Sequence, residues 1–168
     1  MARDTIPSVY RSILCPVDFS GNSRAALRYA AMLARLSDAR LFVLYVDDPL
    51  LVVAAAARQD ARALVASREQ DLRRFTANAL RGATPPLYPT LLTMAGTPAR
   101  EIARAAERHK CDLIVMGYRG IGRASRFFFG STTEGVVRLS RVPVVAVPPQ
   151  GRRVRSPAAG RRRLKRAS

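Results

Sequence analysis

Short, continuously apolar runs alternate along this chain with longer segments of helical period, which restricts it to a parallel sheet covered on both faces. The first run, Arg11 to Val17, has the composition of a strand buried on both sides. Ser20 follows as an N-cap. Ala26, Ala30, Leu33 and Leu36 then recur at helical spacing and predict the buried stripe of a first helix. Leu41 to Val46 is a second strand of the same kind. Leu50 to Ala57 is apolar without a clear period and reads as a connection. Beyond it, Val65, Leu72, Phe75 and Ala79 predict one face of a long amphipathic helix, with Arg62, Arg73 and Arg74 off that face.

Leu87 to Met94 is a third strand, and Pro85, Pro86 and Pro89 at its start place it at a sheet edge. Thr97 as N-cap and Pro98 as first helical residue open the next helix, with Ile102, Ala105 and Ala106 on its buried side. Leu113 to Met116 forms a fourth strand, Ser131 to Arg141 a helix, and Val142 to Val147 a last strand that Pro148 and Pro149 stop. The expected fold is therefore α/β, an open doubly wound sheet of five parallel strands with four crossover helices. In such sheets ligands bind beyond the carboxyl ends of the strands, where strand order reverses. With the order 3-2-1-4-5 that point lies between the first and fourth strands, whose ends carry Asp18 and Gly117.

A chain of 168 residues, 48% of them hydrophobic, can bury one domain's core. No apolar run approaches the roughly 20 residues needed to span a bilayer, and Met1 to Ser12 lacks the apolar stretch of a secretory signal. A cytoplasmic location follows as the expectation. Cys15 and Cys111 sit in apolar strand contexts and read as inert core thiols. The net charge of +17 is uneven. Residues 151–168 hold seven arginines and Lys165 with no acidic residue, so eight of the surplus charges lie there and +9 remain on residues 1–150. The division expected is a domain over 1–150 and a basic disordered tail over 151–168.

The stretch from Asp112 to Gly135 concentrates the chemistry. An apolar strand runs into Gly117, a basic loop carries Arg119 and Gly120, and Gly130-Ser131-Thr132 opens a helix. Glycine lets backbone amides approach an anion closely, and a helix N-terminus presents unpaired N–H groups and the positive end of its dipole. Ser131 and Glu134 have capping-box spacing, and Ser131 and Thr132 offer hydroxyls to a phosphate. Arg119 lies within the glycine turn, where its fork suits phosphate. At the other strand end, Pro16, Val17 and Asp18 supply a carboxylate that can receive ribose hydroxyls or hold a magnesium ion. Val46 can pack on a purine face.

These residues resemble the universal stress protein family over about residues 9–149. The likeness rests on Ile13 to Ser20, on Gly96 to Ile102, on Asp112 to Gly117, and on the spacing Gly117-x2-Gly120-x9-Gly130-Ser131. The resemblance implies the 3-2-1-4-5 sheet, pairing of two copies through the last strand, and ATP binding, which that glycine pattern marks within the family. It places adenine and ribose near Pro16, Val17, Asp18, Val46 and Met116, and the phosphates at Gly117, Arg119, Gly120, Gly130, Ser131 and Thr132. The tail is no part of the family pattern.

Nothing in the sequence supplies a catalytic pair. His109 and Lys110 precede the fourth strand at the far end of the sheet, and there is no Walker-type lysine. The expectation is a non-enzymatic regulatory module, with slow ATP hydrolysis, aided by a magnesium ion on Asp18, as the enzymatic alternative. The other alternative is sequence-independent binding of nucleic acid or another acidic surface by residues 151–168. No aromatic residue interrupts that tail to stack on bases.

Overall fold

The computed structural model describes residues 9–58, 60–118 and 130–148, without the side chains of Leu51 and Ala55. The elements run β1 (Ser12–Val17), α1 (Gly21–Ser37), β2 (Arg40–Asp47), α2 (Pro49–Ala57), α3 (Ala61–Ala79), β3 (Thr90–Ala95), α4 (Pro98–Arg108), β4 (Leu113–Gly117), α5 (Ser131–Leu139) and β5 (Val144–Val147). The five strands form one sheet in the order β3-β2-β1-β4-β5, and every neighbouring pair is parallel. Every residue of the central strands β1 and β4 is buried, while the edge strand β5 is half-buried throughout. The continuous apolar runs of the sequence thus mark the strands covered on both sides.

Alternation of side chains divides the core into two layers. On one face Ile13, Cys15, Val17, Val43, Leu113 and Val115 pack with the alanines of α1 and with Leu72 and Phe75 of α3. On the other, Leu14, Phe42, Leu44, Ile114 and Met116 pack with Ile102, Ala105 and Ala106 of α4 and Val136 of α5. Cys15 and Cys111 are free, buried thiols, and burial pushes both upward from the ordinary thiol range.

Four expectations need correction. Leu50 to Ala57 is helix α2 rather than a connection, so the crossover from β2 to β3 contains two helices. It starts because Asp48 Oδ1 accepts the Leu50 N–H at 2.8 Å, with Pro49 next to that cap. Leu36 is exposed, as is Val65. The helix α1 seats on the sheet through Leu27 and small residues, Ser23, Ala26, Ala30, Ala31 and Ala34, which let its axis lie close to the strands and leave Leu36 outward. Lastly, the capping box at α5 does not form. Gly130 is the N-cap, Ser131 is already helical, and Glu134 instead faces Arg138 at 3.2 Å one turn on. Ser20 does cap α1, accepting the Ser23 N–H at 3.1 Å. Thr97 occupies the cap position of α4 without a side-chain bond. The predicted tail, residues 151–168, lies outside the described residues.

Candidate functional site

A parallel sheet places all its carboxyl-terminal strand ends on one rim. At the centre of that rim β1 and β4 are neighbours, and their helical crossovers leave in opposite directions, α1 to one face and α5 to the other. The divergence opens a crevice. It contains a cavity of about 200 Å³ whose walls include Pro16, Val17, Asp18, Leu44, Tyr45, Val46, Met116 and Gly117 from strand ends. Ser23 of α1, Pro98 and Ile102 of α4, and Thr132 and Thr133 of α5 complete it. Apolar side chains make most of the wall, and one carboxylate and four hydroxyl-bearing side chains join them. That combination suits a flat apolar ring carrying a polar substituent.

Asp18 is fixed by its own turn. Its Oδ1 accepts the Ser20 N–H at 3.1 Å, and its N–H donates to Ser23 Oγ at 3.3 Å. Ser23 Oγ in turn donates to the Ser20 carbonyl at 3.1 Å. The carboxylate is therefore both an Asx-type support for the start of α1 and part of the cavity wall. The two roles coexist because a carboxylate has more acceptor sites than one N–H can occupy.

Gly117 has a reason to be glycine that the sequence did not disclose. A Cβ there would stand 3.1 Å from the carbonyl carbon of Asn22 and 3.2 Å from its oxygen. The first turn of α1 thus lies against the end of β4. The Gly117 carbonyl accepts the Thr133 hydroxyl at 3.1 Å, tying the same strand end to α5. The Gly130 N–H donates to the Tyr118 carbonyl at 3.3 Å, so the two ends of the intervening loop meet. Gly130 has φ −60° and needs no left-handed conformation. It carries no side chain to cap α5, and the first intrahelical bond is Glu134 N–H to the Gly130 carbonyl at 3.0 Å. The amides of Ser131, Thr132 and Thr133 precede that bond, as first-turn donors do.

Tyr45 is held from two sides. Its ring stacks on Phe19 at 4.5 Å between centroids, and Phe19 meets Phe75 edge-on at 5.4 Å. The Arg68 guanidinium lies 5.8 Å from the Tyr45 ring centre and its Nε donates to Asp47 Oδ1 at 3.0 Å. Burial raises the Tyr45 hydroxyl above its ordinary range, against the lowering effect of Arg68.

The structure thus brings Pro16, Val17, Asp18, Val46, Met116, Gly117 and Thr132 to one cavity. Gly130 and Ser131 stand at the start of α5 beside it rather than in its wall. Arg119 and Gly120 lie outside the described residues. Sequence reasoning missed Ser23, Leu44, Tyr45, Pro98, Ile102 and Thr133 as wall residues. Ile102 was visible only as a core position, and it serves both purposes. Among the described residues no group of three acidic, His or Cys side chains is arranged to hold a metal ion. His109 caps the far end of α4 and packs on Phe42 at 4.8 Å, remote from the crevice.

The universal stress protein family model matches residues 9–148. A universal stress protein of Thermus aquaticus is 33% identical over 140 residues, covering 83% of this chain and 99% of that protein. The solved universal stress protein UspA of Lactobacillus plantarum is 31% identical with a TM-score of 0.65, over 82% of this chain and 97% of that one. The universal stress protein of Archaeoglobus fulgidus in complex with dAMP is 23% identical with a TM-score of 0.58, covering 83% and 98%, and shares the fold. The match spans every described residue of this sheet and its helices, and on it this chain belongs to the universal stress protein family.

Proposed function

We propose that this protein is an ATP-binding regulatory module of the stress response, in which nucleotide occupancy of the rim crevice biases contacts between copies or with partners. The observation that carries this reading is the convergence of Asp18, Val46, Met116, Gly117 and Thr132 on one cavity at the strand-order reversal. Val46, Met116, Leu44 and Ile102 offer an apolar slot to a purine, and Asp18 accepts hydrogen bonds from ribose hydroxyls. The first-turn amides of α5, at residues 131–133, point the positive end of the helix dipole toward a phosphate chain. Magnesium would arrive with the phosphates, with Asp18 as the one carboxylate among the described residues of the cavity wall. The dAMP complex of the Archaeoglobus fulgidus relative supports an adenine nucleotide as the ligand class.

The reading is of binding without efficient turnover, since neither His109 nor Lys110 approaches the crevice. It includes a cytoplasmic homodimer joined through β5, an edge strand with one side unpaired among the described residues. Differential binding of nucleotide to two states of the protein is enough to couple it to assembly. Mass spectrometry of ligand released from freshly purified protein tests the proposal: an adenine nucleotide is expected, and it should be absent from Gly117→Val.

A second reading rests on the eight cationic residues of 151–168, unopposed by any acidic residue, and it concerns nucleic acid. Neutralising several phosphates gives affinity that falls steeply with salt. A gel shift comparing the full chain with one ending at Gln150 discriminates. The full chain should bind DNA more tightly at low salt, and equal affinities would remove the tail from consideration.

A further inference from the structure

Helix α1 turns Leu27 and its alanines toward the sheet and leaves three other large apolar side chains facing water. Tyr29, Met32 and Leu36 remain 39%, 44% and 78% exposed. Their successive spacings of three and four residues align them along one side of the helix, the spacing of an a/d seam. Single exposed apolar residues are ordinary, but an aligned row on a helix of 17 residues is a surface that another helix can cover.

The charges beside the row are of one sign. Between Gly21 and Ser37 the helix carries Arg24, Arg28 and Arg35 and no acidic residue. Arg28 and Arg35 immediately precede Tyr29 and Leu36, so both border the same edge of the row. Arg28 is anchored by its Nε to the Ala79 carbonyl at 3.0 Å. Arg35 is half-buried, its Nε and Nη2 turned inward with no acceptor among the described residues, and its positive charge adds to that edge. A second copy of this chain would set the same arginines against one another on a protein of net charge +17. Complementarity therefore selects an acidic occupant.

We propose that the outer face of α1 is a docking surface for an amphipathic helix of a partner protein, whose apolar seam covers Tyr29, Met32 and Leu36 and whose carboxylates meet Arg28 and Arg35. This surface is separate from the nucleotide crevice and does not depend on it.

The test titrates the full chain with a synthetic helical peptide that has leucines at seam spacing and glutamates on the flanks, followed by fluorescence anisotropy. A scrambled peptide of identical composition and a seam peptide with lysine flanks serve as controls. Binding of the glutamate-flanked seam peptide is expected, weakened about tenfold or more by scrambling or by Met32→Glu with Leu36→Glu. Those two positions are exposed, so the thermal melt of the variant should match the parent. Arg35→Glu should shift preference toward the lysine-flanked peptide. The inference is overturned if the scrambled peptide binds equally, because charge alone would then suffice. It is overturned also if the seam variants bind as well as the parent, or if Arg35→Glu leaves the preference unchanged. Sedimentation showing a dimer of the parent that Leu36→Glu dissolves would name a second copy as the occupant and defeat it as well.

Discussion

Gly117 shows how one residue serves both fold and site. Its missing side chain lets the first turn of α1 approach the end of β4, with the Asn22 backbone 3.1 Å from where a Cβ would be. Gly117→Val should therefore destabilise the fold by about 1–3 kcal/mol, the usual cost of forcing extra carbon into a packed contact. Because α1 must move away from the strand, nucleotide affinity should fall with it. Denaturant titration and calorimetric binding on the same preparation check both effects. Cys15 makes a different prediction. It is fully buried in β1 and burial holds its thiol protonated well above its ordinary value of 9.0. The unfolded chain ionises first, so this contribution is complete below that pH and declines as pH rises above it. Unfolding free energy measured between about pH 8 and pH 10 should slope downward, and Cys15→Ala should lessen the slope, whatever its effect on the neutral-pH value. Cys111 and Tyr45, shifted in the same direction by burial, sustain the remainder.

At the scale of elements, what the sequence made legible follows from where burial is symmetrical. β1, β2 and β4 read plainly because strands covered on both faces must be apolar at nearly every position. Helix α1 read correctly at its Ser20 cap and along its buried stripe as far as Leu33, and wrongly at Leu36. Ala26, Ala30 and, one residue on from Ala26, Leu27 point at the sheet, whereas Leu36 in the last turn does not. Helix α2 escaped because an uncharged run of leucine, valine and alanine has no period to detect. The crevice was legible from Asp18, Val46, Met116 and Gly117, each at or beside a strand end. Tyr45 and Thr133 were not, because their contacts are tertiary, and Ser23 was not, because its local bonds to Asp18 and Ser20 read only as part of a helix start. The tie between α3 and the sheet is of that kind too. Arg68 pairs with Asp47 at 3.0 Å, the carboxylate being nearly buried and the arginine a quarter exposed. Arg68→Met should cost about 1–2 kcal/mol, chiefly by leaving that carboxylate unpaired. The double variant with Asp47→Asn should recover part of the loss, and a double-mutant cycle by chemical denaturation measures it.

For the whole molecule, a family fold supplies the crevice and the chain adds features of its own. The sheet order brings β1 and β4 together, their crossovers part, and the cavity lies between them. The positive charge of the protein, +17 in all, acts at longer range, raising the local concentration of anions of every kind at low salt. Specificity for a nucleotide must therefore come from the cavity and persist when salt is raised. Calorimetric titration of the purified protein with ATP and magnesium at physiological ionic strength tests this most directly. Saturable binding of one nucleotide per chain is expected, lost in Asp18→Ala together with Gly117→Val and kept at higher salt. Heat that fails to saturate up to millimolar nucleotide, or binding that the double substitution leaves intact, would contradict the account.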